Sequence, residues 1–570
     1  MDGLANVWPD GGLFSFSGMD GETAYSEPFV AKGIRDQIGW QFCLNSPVTM
    51  SLFVGDTPLK AAPAHSDYCL SDCWRFSTKY DAYEGIVQGA FVNRFSMAGS
   101  VEFDYLPGDI FPHVFVNQTC RQEADLSVCS GDGWWLAVAV KPAQHKCRFG
   151  VAISYSSEDE AIERAQAACT ADLSDVCDLR MDYYRTIAPP DWLAGSMLCT
   201  YYKAVSIQKA AIESPQHDMV HPWSLPVRLP SACTNTWDSL FHALGLQHNV
   251  PHLAFDTIRT LTSRQSADGA IPLLITPGMP TDSHTVHPPL LAWVITHLCE
   301  RTMQIEFLDQ MYPRLVRYAD WFSDNRRHDN GLYGWRLDTQ SQTHRGQESG
   351  MGDSPRFDSA AHLTAVDLSS YMACEFFSLE KIARCLDKSA DAQHWRQRRM
   401  ETAELLNTLL WDDEDRFYYD LDEYGEFIRV KTTAGFTPLL GLVPDRDRAE
   451  AMRVHLMNAN RFWSPVPVCS VSQDEPTFSG ERWRGSAHCS VNILIYYGLL
   501  AYGFLPEARR LARATLTEIM RGYLQSGCMY EHYDPNGASF GAVTPAASNN
   551  QTDYHLTAAA YVHLAHELGQ

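Results

Sequence analysis

The sequence predicts a multidomain chain, an N-terminal antiparallel β-sandwich followed by a large helical domain. Three observations carry this. The chain has 570 residues, which at about 150 residues per domain means several domains or one helical unit that absorbs unusual length. Its first 155 or so residues are strand-like, with frequent Gly and Pro and short runs of alternating polarity. From residue 191 onward the apolar positions recur at spacings of three and four.

Within the strand-rich part, every second residue of Phe149, Val151, Ile153 and Tyr155 is apolar, as a half-buried strand requires. Trp135 to Val140 forms another such run, and an antiparallel sandwich is the economical arrangement. Residues 157–185 start acidic and are rich in Ala and Leu, which predicts a dipole-compensated helix. Ala188-Pro189-Pro190 ends it. The expected division is 1–156 sandwich, 157–190 helical linker and 191–570 helical catalytic domain. In the last part, Leu308, Met311, Leu315, Tyr318 and Phe322 mark one helix face. Residues 252–264, 287–303, 366–386, 390–411, 489–504, 506–522 and 553–568 read the same way. Roughly a dozen helices fit the remaining length.

Composition limits function. Asp plus Glu number 69 against 45 Lys plus Arg, a formal charge of -24. That balance argues against nucleic acid and anionic membrane surfaces as partners. No stretch approaches the roughly 18 consecutive apolar residues of a membrane span. The opening residues, MDGLANVWPDGG, have neither the basic nor the apolar region of a leader. The expectation is a cytoplasmic protein, a trimmed secreted form being the alternative. The 16 Cys are scattered and most read as reduced, buried thiols; disulfides among Cys69, Cys73, Cys120, Cys129 and Cys147 are the lesser possibility. Neither the Cys nor the His residues show metal-ligand spacing, so no metal and no cofactor are expected. Asn117 and Asn550 each open a glycosylation triplet, a weak signal.

Four loop segments carry chemistry-bearing residues. Thr236-Trp237-Asp238-Ser239 opens a helix and sets an aromatic face beside a carboxylate; Asp238 or Thr236 as a simple helix cap is the bland alternative. Glu348 to Asp358 (ESGMGDSPRFD) holds three carboxylates, one Arg and two Gly. Glu481 to Ser486 (ERWRGS) puts Trp483 and Arg484 at a helix entrance. Tyr530 to Gly537 (YEHYDPNG) sets Glu531 among aromatic rings beside a type I turn. Aromatic burial raises a carboxyl pKa, and neighbouring Arg or amide donors lower it.

Taken together and in this order, WDS, ESGMGDSPRFD, WRG and YEHYDPNG resemble the inverting glycoside hydrolases grouped as family 63, and more distantly the trehalases of family 37. The flanking QSADGAIP, HPPLLAW, AVDLSSYMACE and LLWDDEDRFYYD agree, so the likeness runs from about 235 to 565. The resemblance implies an (α/α)6 barrel behind a β-sandwich, and hydrolysis of an α-glycosidic bond, in an α-glucoside or related sugar, with inversion. The implied partner is an oligosaccharide or small glycoside. Glu531 falls on the general base of the family. Trp237, Asp238, Arg356, Trp483, Arg484 and Gly485 fall on positions implied to line the sugar site. The family loop usually reads ESGMDNSPRFD, with the first Asp as general acid. This chain has Gly352 there, which has no proton to give. Asp353, one residue later, is the expected acid; Glu348 and Asp358 are the alternatives, and a carbohydrate-binding protein without acid catalysis is the remaining one. The segment 277–289 is expected to close over the aglycone side.

Overall fold

In the computed structural model the described residues are 12–16, 29–34, 37–62, 68–117, 120–227, 233–280, 284–537 and 551–569. The opening residues 1–11, Asn550, and residues 281–283 of the segment expected over the aglycone lie outside them.

Two antiparallel sheets form the N-terminal part. One has the order Leu13–Ser15, Val30–Gly33, Gly39–Phe42, Val48–Val54, Pro112–Val116, with Thr57–Pro58 paired to the fourth strand. The other runs from Arg121–Glu123 through Leu126–Gly131, Trp134–Pro142, Lys146–Ser154, Ser96–Phe103, Tyr83–Asn93 and Cys73–Tyr80 to Ala61–Ala62. Their inner faces share one core, with Trp40, Met50 and Leu52 from the first sheet against Trp74, Phe91 and Phe149 from the second. The Trp40 ring lies 5.5 Å from Trp74 and 5.6 Å from Phe149.

The alternating Phe149, Val151 and Ile153 do face this core, but the strand is not half-buried. Gly150 and Ala152, on its other face, are buried under helix α1 (Glu158–Thr170). A Cβ on Gly150 would lie 2.2 Å from the Ala165 carbonyl oxygen, so only glycine admits the helix this closely. The single helix expected over 157–185 is two. Asp172 stops α1 and caps α2 (Leu173–Arg185), its carboxylate accepting the Ser174 N–H at 3.0 Å. Asp at that position satisfies the first orphan donors of a new helix better than it continues an old one. One cysteine pair departs from the reduced-thiol expectation, since Cys120 and Cys129 form a disulfide.

The remainder is an (α/α)6 barrel. Six rods form a closed inner ring, each touching the next and the last touching the first: α4 (Thr236–Leu246), α6 (Leu291–Thr302), α8 (Val366–Cys385), a 3-10 segment Thr433–Leu439, α11 (Cys489–Ala501) and α13 (His555–Leu568). Six outer helices alternate with them along the chain: α3 (Gly195–Ala210), α5 (Pro251–Ser263), α7 (Ile305–Asn325), α9 (Ser389–Leu405), α10 (Arg446–Leu456) and α12 (Leu505–Ser526). The division is written in the sequence. Helix α11 (CSVNILIYYGLLA) is apolar all round, as a rod surrounded by others must be. Helix α12 buries Leu511, Leu516 and Ile519 and exposes Arg509, Arg510 and Arg513. The fourth inner rod holds Pro438, which lacks the N–H an α-helix interior needs. Helix α6 begins at Leu291, later than its periodicity suggests, because Pro288 and Pro289 precede it. It has no cap of its own. Glu375 of α8 crosses the barrel instead and accepts the N–H groups of Ala292 (2.9 Å) and Trp293 (3.3 Å).

Buried ion pairs tie the sandwich to the barrel. Asp72, at the start of a sandwich strand, accepts Lys209 Nζ of α3 at 2.5 Å and the Tyr184 hydroxyl of α2 at 2.6 Å. Asp553, just before α13, accepts Lys203 Nζ at 3.1 Å and the Leu13 N–H of the first strand at 2.9 Å, both on Oδ2. Its Oδ1 accepts the Met529 N–H at 3.2 Å. The four charged side chains are at most 2% exposed. Among the described residues no helix is long and apolar enough to cross a membrane.

Removing one partner of such a pair leaves an uncompensated buried charge, at a cost of about 3–5 kcal/mol. Asp72→Ala should therefore lower unfolding stability by that order, read by thermal and urea denaturation. Asp178→Ala, whose partner Arg185 is exposed, should change it by less than about 1 kcal/mol.

Candidate active site

Each of the four sequence-predicted loops leads from an outer helix into an inner one, and together they meet at one end of the ring. Gly350 sits over the indole of Trp237, 3.5 Å from where a Cβ would stand. The Trp483 N–H donates to Asp353 Oδ1 at 3.2 Å. Ala487–His488 pairs as a short strand with His532–Tyr533, beside Glu531. Tyr554, at the start of α13, donates its hydroxyl to Asp238 Oδ2 at 2.9 Å.

At the first loop neither Asp238 nor Thr236 caps α4. Asn235 does: its side-chain oxygen accepts the Asp238 N–H at 2.7 Å, and its Nδ2 donates to Asp238 Oδ2 at 2.7 Å. That leaves the Asp238 carboxyl aimed at Tyr554 in full burial, which pushes its pKa up to about 6 against these two hydrogen bonds. Trp237 is packed between Phe241 and Tyr371.

The second loop separates the three candidate acids. Glu348 is 1% exposed and paired with Arg326, through Nε at 3.1 Å and Nη2 at 2.6 Å. It also accepts the N–H groups of Val286 and Arg336. Asp358 makes a two-pronged pair with Arg484, at 3.1 and 2.7 Å. Asp353 differs from both. Its side chain is 17% exposed, and the nearest cation, Arg482 Nε, stands 3.8 Å from Oδ2. Burial raises its pKa, and the charges of Arg482 and Arg484 and the Trp483 N–H pull back only in part.

Three residues expected to line a sugar site do other work. Arg356 is 1% exposed and lies between two buried carboxylates, bonding Asp367 through Nη2 and Asp420 through Nη1 (3.0 Å). It pins the 355–357 turn to the head of α8. Arg484 is engaged by Asp358 and also donates to the Asp353 carbonyl at 3.0 Å, so it orders the acid loop. Gly485 has φ +147°, and a Cβ there would lie 2.6 Å from the Gly480 nitrogen; the position serves a close backbone approach. Trp483 is 8% exposed and has one face covered by His488, stacked at 3.5 Å and 5°.

Glu531 is partly buried. Burial, then the negative charges of Asp238 and, more weakly, Asp353, raise its pKa to about 7, while Arg482 and the Gln551 backbone lower it. Glu531 thus feels the charge of Asp353, the other carboxyl picked out by sequence. Among the described residues no group of His, Cys, Asp or Glu is arranged to hold a metal ion.

Residues 232–555, more than half of the chain, match the model of the mannosylglycerate hydrolase MGH1-like glycoside hydrolase domain. The chain belongs to that glycoside hydrolase family. It is 26% identical over 391 residues to a mannosylglycerate hydrolase of Rubrobacter radiotolerans, covering 53% of this chain and 85% of that protein. To a probable mannosyl-oligosaccharide glucosidase of Schizosaccharomyces pombe it is 30% identical over 261 residues, 40% of this chain and 32% of the other. Of the first curated relatives it matches, the chain spans between a third and a half of the length. The fold matches the GH63 mannosylglycerate hydrolase from Thermus thermophilus in complex with glucose, with a TM-score of 0.53 and 22% identity over 64% of this chain and 99% of that one.

For this glycoside hydrolase, sequence reading overlooked three participants. Arg482 was inside a quoted motif but overshadowed by the Trp and Arg after it. Asn235 sits one residue before another motif, where an N-cap is legible. Tyr554 carries no local signal, because its partner Asp238 is 316 residues away.

Arg356→Leu should cost roughly 3–5 kcal/mol of stability, since it leaves Asp367 and Asp420 buried without a counter-ion. Arg356→Lys should recover little of this in a denaturation assay, because one ammonium cannot reproduce a fork that serves two carboxylates.

Proposed function

We propose that the protein hydrolyses an α-glycosidic bond with inversion of the anomeric configuration, with Asp353 as general acid and Glu531 as general base. The observation that carries this is the pairing of two partly or wholly desolvated carboxyls, from loops entering α8 and α13, without a tight counter-ion on either. Every other carboxylate of the acid loop has an arginine partner. The shift of the acid by one residue from the usual family position is accommodated by its surroundings: the Trp483 N–H and the Arg484-ordered carbonyl hold Asp353 itself toward the site.

In this scheme the Asp353 proton passes to the glycosidic oxygen as the bond from that oxygen to the anomeric carbon breaks. Water attacks the carbon from the opposite face and gives its proton to Glu531. Such a pair works with its carboxyls roughly 6.5–9.5 Å apart, which leaves room for the water. Afterwards Asp353 is ionised and Glu531 protonated, and exchange with solvent resets both. The ligand is an α-glucoside or a related α-glycoside, the class suggested by relatives named as mannosylglycerate hydrolases and a mannosyl-oligosaccharide glucosidase. Trp237 and Trp483 supply apolar surface for the sugar, and Asp238 with Tyr554 supplies polar partners for its hydroxyls.

The pH dependence follows from the environment of Glu531. A base must be ionised to act, and this one gains its proton near pH 7. The rate should therefore follow a bell whose two limbs mark the successive proton losses of the pair, one of them near pH 7 and so well above the ordinary glutamate range. The two inflections belong to the coupled pair.

Three measurements test the reading on a panel of α-glucosides, α-mannosides, mannosylglycerate and trehalose. Glu531→Gln and Asp353→Asn should each lower turnover by about 10²–10⁴-fold, while Asp358→Asn leaves most of it. Early NMR of the released sugar should show the inverted anomer; clean retention rejects the scheme, as does full activity of Glu531→Gln. Sugar binding by calorimetry with no turnover on any substrate would identify a carbohydrate-binding protein instead.

A further inference from the structure

We propose that Arg482 is a positioning residue for the carboxyl pair, holding one positive charge against both Asp353 and Glu531 and so setting the pH range over which the pair exchanges its protons. The inference rests on the assignment of that pair made above.

The geometry is specific. Arg482 opens the 3-10 turn Arg482–Arg484 with φ +42°, a left-handed conformation that a side chain other than glycine seldom adopts. Residues held this way cluster at functional sites, where surrounding contacts fix them. Here the fixing contacts converge on the Arg482 carbonyl, which accepts the Ser486 N–H at 3.0 Å, His488 Nε2 at 3.2 Å and the Ser470 hydroxyl at 3.3 Å. The next residue in the turn sends its N–H to Asp353. One short turn therefore supplies Asp353 with both a hydrogen bond and a nearby cation.

The other arginines around the site are matched: Arg326 to Glu348, Arg356 to Asp367 and Asp420, Arg484 to Asp358. Arg482 is not. Its side chain is 34% exposed, and among the described residues its nearest carboxylate contact is 3.8 Å, with Asp353. The groups that feel its charge are Asp353 on the acid loop, Glu531 just before the strand His532–Tyr533, His532 on that strand, and His488 on the strand paired to it. Asp238 and Tyr554 stand behind Glu531, and Arg484 with Asp358 flank Asp353. Burial keeps His488 and His532 neutral near pH 7. With Arg484 engaged by Asp358, Arg482 is left as the unmatched cation at the pair. Its charge lowers the proton affinity of both carboxyls, and a charge shared at a distance moves both in the same direction.

The test is the pH profile of kcat/KM for the wild type, Arg482→Gln and Arg482→Lys on the best substrate of the panel. Arg482→Gln should move both inflections to higher pH by at least about half a unit, and Arg482→Lys should return them toward the wild-type positions. Unmoved inflections, with or without a lower rate, overturn the proposal and leave the acid and base assignment standing. Titration of ¹³C-labelled carboxyls by NMR, with the two signals assigned from Asp353→Asn and Glu531→Gln, reads the same shift without turnover. Absence of hydrolysis in the wild type would thus reject the hydrolase reading and still decide this one: an unshifted Asp353 or Glu531 titration in Arg482→Gln rejects it, and a shift of both supports it.

Discussion

A carboxylate taken out of water costs several kcal/mol unless a cation or a set of N–H donors replaces the lost solvent, and that constraint organises this molecule. With 69 acidic residues, the chain buries many of them and matches nearly all. Asp72 and Asp553 meet lysines at the junction of sandwich and barrel. Glu348, Asp367 and Asp420 meet arginines around the acid loop. Glu375 meets the amides at the head of α6. Against this background Asp238, Asp353 and Glu531 stand out, for they are withdrawn from solvent without a tight ion pair. The candidate site is recognisable as the place where the matching rule is relaxed, and the relaxation raises the proton affinity of all three carboxyls.

The barrel makes that relaxation affordable. A closed ring of inner rods brings six entrance loops to one end, so loops far apart in sequence become neighbours. Their alignment depends on struts that never touch a ligand. Arg356 locks the acid loop to α8, Arg484 locks it to the 482–486 turn, and Asn235 steers Asp238 toward Tyr554. Arginines that look alike in a motif thus differ in surroundings: Arg356 has two buried carboxylate partners, and Arg482 has its nearest, Asp353, at 3.8 Å.

How much of this was legible in the sequence follows from how local each cause is. The change from period two to period three and four is a property of neighbouring residues, and the strand-then-helix order emerged from it directly. The four loops were recognisable because Trp, Gly and acidic residues cluster within a few positions. By contrast, burial of Gly150 depends on where α1 lies across the sheet, which no strand pattern encodes. The bracing of Arg356 was hidden for a similar reason, because its partner Asp420 lies 64 residues away. The helix over 157–185 failed at Asp172 for a local reason that periodicity alone overlooks, since a capping residue outweighs average propensity.

The hydrogen bond from Leu13 to Asp553 joins residues 540 apart, and the other oxygen of the same carboxylate secures the backbone two residues ahead of Glu531. During synthesis the strand that holds Leu13 leaves the ribosome long before its partner exists. The working end of the barrel can be completed only after the stretch around Asp553 has emerged, and the early strand must wait as an unfinished edge. The protein is thereby hard to shorten: a fragment without either of these two segments would lose the latch that secures the backbone leading to Glu531.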